Sequence, residues 1–232
     1  AQIKPTGTWP DGSVKWVLVT LLADVPASGE AVYELEFGRD VRRAAAGGPL
    51  ATQDGGSVIV DTGAVRFAID SRGQVSDLRT PEGCGFDGAC STSMSTSEGG
   101  VFSTNTGDAP AQVVIEENGP LRTVIFTARD MLAEDGGDSF RVEQRIEAWR
   151  GSPLVVIHHT FINDVGQEWT EVERMSLTVP ASAQWRALVE NGEPVGVSVK
   201  LQQRFDGEYT AGDAVVKGRL TGTVLPDADA AC

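Results

Sequence analysis

Positive charge is scarce in this sequence. Among 232 residues there are 19 Lys and Arg, only four of them Lys, against 33 Asp and Glu, for a net charge of −14. A nucleic-acid backbone is held by clustered Lys and Arg, so nucleic acid is excluded as a partner. Anionic membrane surfaces repel the same charge. No apolar run approaches the roughly 20 residues that span a bilayer as a helix. Histidine is limited to His158 and His159 and cysteine to Cys84, Cys90 and Cys232, which leaves little for a Cys/His metal site. The N-terminus has no Met, no basic segment and no apolar segment. The expectation is a chain whose signal peptide has been removed or one that begins inside a longer protein.

What the sequence has in quantity is apolar and turn-forming residues. Apolar residues make up 41%, enough for a core, and 27 Gly and 11 Pro break them into short runs. Many β-branched runs separated by Gly, Pro, Asn and Asp predict an all-β, mostly antiparallel sandwich. Val14–Leu22 reads as a buried strand. Ala31–Phe37 alternates, with Tyr33, Leu35 and Phe37 on one face. The pattern is lost over Gly38–Gly56 and resumes at Ser57–Thr62 and Ala64–Ile69, with Gly63 between them as a turn or bulge. The Ser/Thr-rich stretch Ser91–Ser97 reads as a surface loop. Val113–Phe126 is the clearest hairpin, turning at Asn118-Gly119. Phe140–Trp149 fits helix and strand alike and is assigned to a strand because its neighbours are strands. Leu154–Ile162 is apolar on both faces and predicts a central strand. Val172–Val179 and Val195–Gln202 add two more. The resulting division is a small β piece (1–47), a linker (48–57), the sandwich (58–225) and a tail (226–232). Cys84 and Cys90 bracket a short loop with two glycines whose ends could meet. A disulfide and an oxidising compartment are expected, against the alternative of two free thiols.

Several of these segments resemble a known family. Trp9-Pro10-Asp11-Gly12-Ser13-Val14-Lys15-Trp16 resembles the signature closing the first, RIFT-barrel-like domain of rhamnogalacturonan exolyase-like proteins. Asp61–Phe67, Glu117–Arg122, Glu147–Pro153 and His158–Asn163 resemble their second domain, a sandwich of galactose-mutarotase type. The resemblance covers most of residues 1–205. It implies a secreted or cell-surface polysaccharide-degrading protein. Family members carry a helical toroid domain after these β domains. No helical repeat follows here, so the expectation is either part of a longer chain or β domains that stand alone. No catalytic residue of the toroid has a counterpart here.

Lyase chemistry at a uronate needs a base and a cation that neutralises the carboxylate. Against that requirement the candidates for binding sugar are Trp9 and Trp169, which lie in loops and could stack on a ring, together with Arg122, His159 and Arg174. On a strand His158 and His159 point to opposite faces, so the pair cannot easily share a metal. Trp16 and Trp149 sit in strand patterns and read as core. Lys15 reads as covering apolar surface or pairing with an acid. Asp11 and Ser13 are expected to tie their turn to its own backbone. The acidic turns Glu134–Asp138 and Asp227–Asp229 offer oxygen ligands for calcium without the full spacing of a calcium loop, and no other cofactor is expected. The functional expectation is the β-rich portion of a secreted carbohydrate-active protein that shapes a glycan cleft and has little activity alone. The alternatives are a structural or assembly protein and a non-catalytic sugar-binding module. The expected partner is a polysaccharide or oligosaccharide.

Overall fold

The computed structural model describes residues 1–38, 40–41, 47–83, 85–107, 111–133, 139–163 and 170–180, and the backbone of six short strands between 185 and 226. Every regular element among them is a strand, and every pairing is antiparallel. A first hairpin is formed by β1 (Gln2–Thr8) and β2 (Val14–Thr20). A four-stranded sheet follows in simple order: β3 (Ala51–Asp54), β4 (Ser57–Asp61), β5 (Arg66–Ile69) and β6 (Val75–Arg79). The large sheet begins with β7 (Ser91–Thr96), β8 (Val101–Ser103), β9 (Gln112–Asn118), β10 (Arg122–Ala133), β11 (Ser139–Trp149), β12 (Val155–Ile162) and β13 (Val172–Thr178). Of the remaining strands, β14 (Trp185–Leu188), β15 (Pro194–Val197) and β19 (Thr223–Pro226) make a small sheet. β16 (Lys200–Gln203), β17 (Glu208–Ala211) and β18 (Ala214–Lys217) extend the large one.

The two main sheets pack face to face. Alternation along β10 turns Thr123, Ile125, Thr127, Arg129 and Met131 to the inner face, and all are buried. The register with β11 places Ala148, Ile146, Gln144, Val142 and Phe140 beside them on that face. Val58, Val60, Phe67, Ile69 and Val75 of the smaller sheet close on Ile125, Ile146 and Ala148 in one core cluster. A second cluster (Met94, Phe102, Met131, Phe140 and Val142) fills the other end. The fold is therefore an all-β antiparallel sandwich, driven by burial of one face of each sheet.

Several local expectations need correction. Ser91–Ser97 is not a loop. Its first six residues form β7, paired with β8 and β13, and Thr92, Met94 and Thr96 alternate inward. The small hydroxyls hid a two-residue period that only Met94 marks as apolar. β12 is not central: among the described residues it pairs only with β11 and ends the sheet. The stretch 48–57, read as linker, contains β3 and begins β4; the Asn118 side chain binds the backbone N–H and C=O of Ala51 (3.0 and 2.8 Å) and so fastens β3 to the hairpin turn. Ala31–Phe37 forms no strand, and Val32 and Phe37 are each 89% exposed. β2 forms over Val14–Thr20, yet Trp16, read as core, is 64% exposed. Among the described residues neither side of this hairpin faces a second sheet that could bury it, and a two-stranded piece has no interior of its own.

The expected ring between Cys84 and Cys90 is also revised. Cys84 lies outside the described residues; Cys90 is a free, buried thiol in the first core cluster. Gly85–Cys90 lies along β6: Phe86 N–H donates to Leu78 O (2.9 Å) and Cys90 N–H to Val75 O (2.7 Å). A Cβ on Gly85 would overlap the Leu78 carbonyl, so glycine permits this close approach. Pairing to β6, rather than closure of a loop, sets the direction of the segment and turns Cys90 inward. Burial, followed by the charge of Asp70, pushes the Cys90 thiol up to about 12. The native protein should therefore leave Cys90 unlabelled by a thiol reagent at neutral pH. Unfolding without reductant should make it fully alkylatable, read by peptide mass spectrometry. A Cys84–Cys90 linked peptide in that digest would overturn this assignment.

Candidate functional site

Two polar groupings stand out, one on each face of β10–β12. On the inner face, Thr127, Gln144 and His159 lie in register across the three strands. The Gln144 side-chain amide is hydrogen-bonded to His159 Nδ1 (2.7 Å). The His159 Nε2 is buried and has no hydrogen-bond partner, and the Phe161 ring lies 4.5 Å from the imidazole. Burial lowers the His159 pKa to about 4. Next to Gln144 is a cavity of about 20 Å³, lined by Gln74, Cys90, Thr92, Thr127 and Arg129 among others. Such a volume holds about one water and no sugar ring. The inner face is therefore a polar seam within the core, not a cleft.

The outer face carries the more open arrangement. Arg122 opens β10 and points outward between two carboxylates. Its Nη1 donates to Glu117 Oε2 (2.9 Å), and its Nε and Nη2 donate to Glu147 Oε2 (3.2 and 2.7 Å). Glu117 is almost fully buried, and Lys4 Nζ lies 3.4 Å from it. Glu147 Oε1 in turn lies 3.2 Å from His158 Nε2, and the His158 side chain is 61% exposed. Across the strand pair Arg145 stands directly opposite His158, held by Glu116 through two hydrogen bonds (2.9 and 3.1 Å) and placed over the Phe126 ring. Glu116 also holds the Arg145 guanidinium in its charged form.

Gln2 joins the first hairpin to this patch. Its Oε1 accepts from Leu121 N–H (2.8 Å) and Arg122 N–H (2.9 Å), while its Nε2 donates to Arg122 O (3.0 Å) and to Glu117 Oε1. All four bonds of one buried amide are satisfied by the Asn118–Arg122 turn and its flank. A Cβ on Gly119 would meet the Gln2 amide, which would have to shift from its four hydrogen bonds.

The five sugar-binding candidates are not brought together. Trp9 sits at the tip of the first hairpin, 51% exposed, with Lys15 Nζ 4.3 Å from its ring centre. The tip is closed by its own hydrogen bonds: Trp9 N–H donates to Ser13 O, Gly12 N–H to Trp9 O, and Ser13 donates twice to Asp11 Oδ1. Those two bonds hold the Asp11 carboxyl below its ordinary value, as expected of a turn tied to its own backbone. Arg122 is committed to two carboxylates and does not present a free cation to a substrate. His159 faces the core. Arg174 is exposed on β13, opposite Ser95, separated from β10 by β7 and β8. Trp169 lies outside the described residues, as do the acidic turns considered for calcium. Sequence reasoning passed over His158, Glu147, Glu117 and Gln2. The alternation of faces places His158 outward, but its proximity to Glu147 depends on strand register. A scan against protein-family models and a search of curated proteins find no match for this chain.

Two outcomes follow. Replacing Arg122 by Met should cost about 3–5 kcal/mol in denaturant unfolding, because Glu117 and Glu147 lose their shared partner. Protonating His159 costs the fold: the unfolded chain takes up this proton near 6.5 and the folded chain near 4. Stability should fall as pH drops through that window. The stability advantage of wild type over His159→Gln should shrink by about 3 kcal/mol between pH 7 and 4. A constant difference across that range would contradict the buried, neutral imidazole.

Proposed function

We propose that this chain is the β-rich portion of a secreted carbohydrate-active protein resembling rhamnogalacturonan exolyases, and that its outer face contributes a glycan-binding surface. The observation that carries the reading is the exposed His158 imidazole, fixed by Glu147, which is itself fixed by Arg122. This gives a solvent-facing ring on a rigid strand, its remaining nitrogen open, with a carboxylate and the Arg145 guanidinium alongside. Sugars are bound by such planar, pre-oriented polar groups, which exchange hydrogen bonds with hydroxyls at little cost in side-chain ordering.

The charges limit what the patch recognises. Lys4 and Arg122 are balanced by Glu117 and Glu147, and Arg145 by Glu116. With these three cations each paired to a carboxylate, the patch favours sugar hydroxyls over acidic groups. The buried His159 faces the core and is not placed to act as a base. The chain is accordingly a binding partner in polysaccharide breakdown and not a complete lyase by itself.

Affinity electrophoresis through gels containing neutral or acidic polysaccharides tests this. Retardation of the wild type is expected with at least one glycan, and His158→Ala should reduce it severalfold while leaving the far-ultraviolet spectrum unchanged. Wild-type mobility unaffected by every glycan would sink the proposal.

A further inference from the structure

Asn118-Gly119 carries a chemistry that its place in the hairpin does not use. An asparagine followed by glycine is prone to lose its side-chain amide, because glycine has no Cβ to hinder attack by its own main-chain nitrogen. The reaction needs no enzyme. The Gly119 nitrogen gives its proton to solvent base and bonds to Asn118 Cγ, the Cγ–Nδ2 bond breaks, and Nδ2 leaves as ammonia. Water then opens the cyclic imide to aspartate or isoaspartate.

The fold opposes each of these movements. Asn118 ends β9 and is exposed, so water reaches it and burial gives no protection. What holds it is hydrogen bonding. Both side-chain atoms that must turn are bound to Ala51 of β3: Oδ1 accepts from its N–H (3.0 Å) and Nδ2 donates to its C=O (2.8 Å). The attacking nitrogen is engaged as well, donating to Arg122 O (3.0 Å). Gln2 of the first hairpin holds the same Arg122 through its N–H (2.9 Å) and its C=O (3.0 Å), and its amide fills the space beside Gly119. Ring closure therefore requires Asn118 to let go of β3 and Gly119 to turn away from a residue that the first hairpin clamps.

The products do not fit back. Aspartate puts an oxygen where Nδ2 faced the Ala51 carbonyl, so a donor and an acceptor become two acceptors. Isoaspartate also lengthens the main chain by one carbon just before the turn, which displaces Leu121 and Arg122 from Gln2.

We propose that Asn118 is a deamidation site gated by the docking of β3 and of the first hairpin. It is closed while both are seated and open when they lift, and its products keep them loosened, so that one local opening becomes permanent. The second Asn-Gly pair of the sequence, Asn191-Gly192, lies outside the described residues. The gate is independent of glycan binding at His158.

The full chain, incubated in mildly alkaline buffer with and without urea, tests this by peptide mass spectrometry localised to Asn118. Conversion in the native chain should be at least about tenfold slower than in the unfolded chain, since only the locally opened fraction reacts. Gln2→Ala should speed native conversion severalfold and leave the unfolded rate unchanged. Asn118→Asp, which reproduces one product, should speed hydrogen exchange in β3 relative to wild type. Equal native and unfolded rates overturn the proposal. A native Gln2→Ala rate equal to that of wild type overturns the gating by the hairpin, and β3 exchange unchanged by Asn118→Asp overturns the permanent release.

Discussion

One guanidinium organises the outer half of this molecule. Arg122 sits between Glu117 and Glu147, and each carboxylate also holds a second group. Glu117 receives Gln2 and Lys4 from the first hairpin, and Glu147 fixes His158. A carboxylate as buried as Glu117 is tolerable only when its charge is matched and its oxygens are hydrogen-bonded. Arg122 supplies the charge, and Gln2 and Lys4 supply further donors. The same requirement that makes the network costly to break makes it a good docking device. The hairpin is attached where a buried charge needs its amide.

The two faces of β10–β12 solve different problems with similar residue types. Inward, Thr127, Gln144 and His159 sit within a packed core, and burial keeps the imidazole neutral. Outward, His158 stands in water beside a carboxylate. Two adjacent histidines thus differ in environment because a strand turns consecutive side chains to opposite sides. The cavity on the core side has room for about one water, whereas the hairpin tip displays Trp9 and Lys15 on a hydrogen-bonded turn.

The legible part of the fold was the part with strong local signals. The Asn118-Gly119 turn, the arms on either side of it and the inward alternation of Phe140–Trp149 are all present. Ser91–Thr96 was missed because threonine and serine can face a core when their hydroxyls find partners, as Thr92 N–H and Thr104 show. Ala31–Phe37 was overestimated because alternation states which face could be buried, not whether another strand is there to bury it. At the site, the turn chemistry of Asp11 and Ser13 was readable, since both partners lie within one turn. The grouping of Gln2, Glu117, Arg122, Glu147 and His158 was not, because its members lie far apart along the chain and are joined only by register and docking.

By itself, the sequence determined the class of the molecule. Short β-branched runs punctuated by glycine and proline cannot make long helices. Those properties depend on composition and on contacts between near neighbours. Only the tertiary structure decided which residues are free to act. It committed Arg122 to two carboxylates, buried His159, exposed His158 and Trp16, and left Cys90 as an inert thiol. Each outcome depends on which distant strand lies alongside, and a one-residue change of register would send every one of these side chains to the other face.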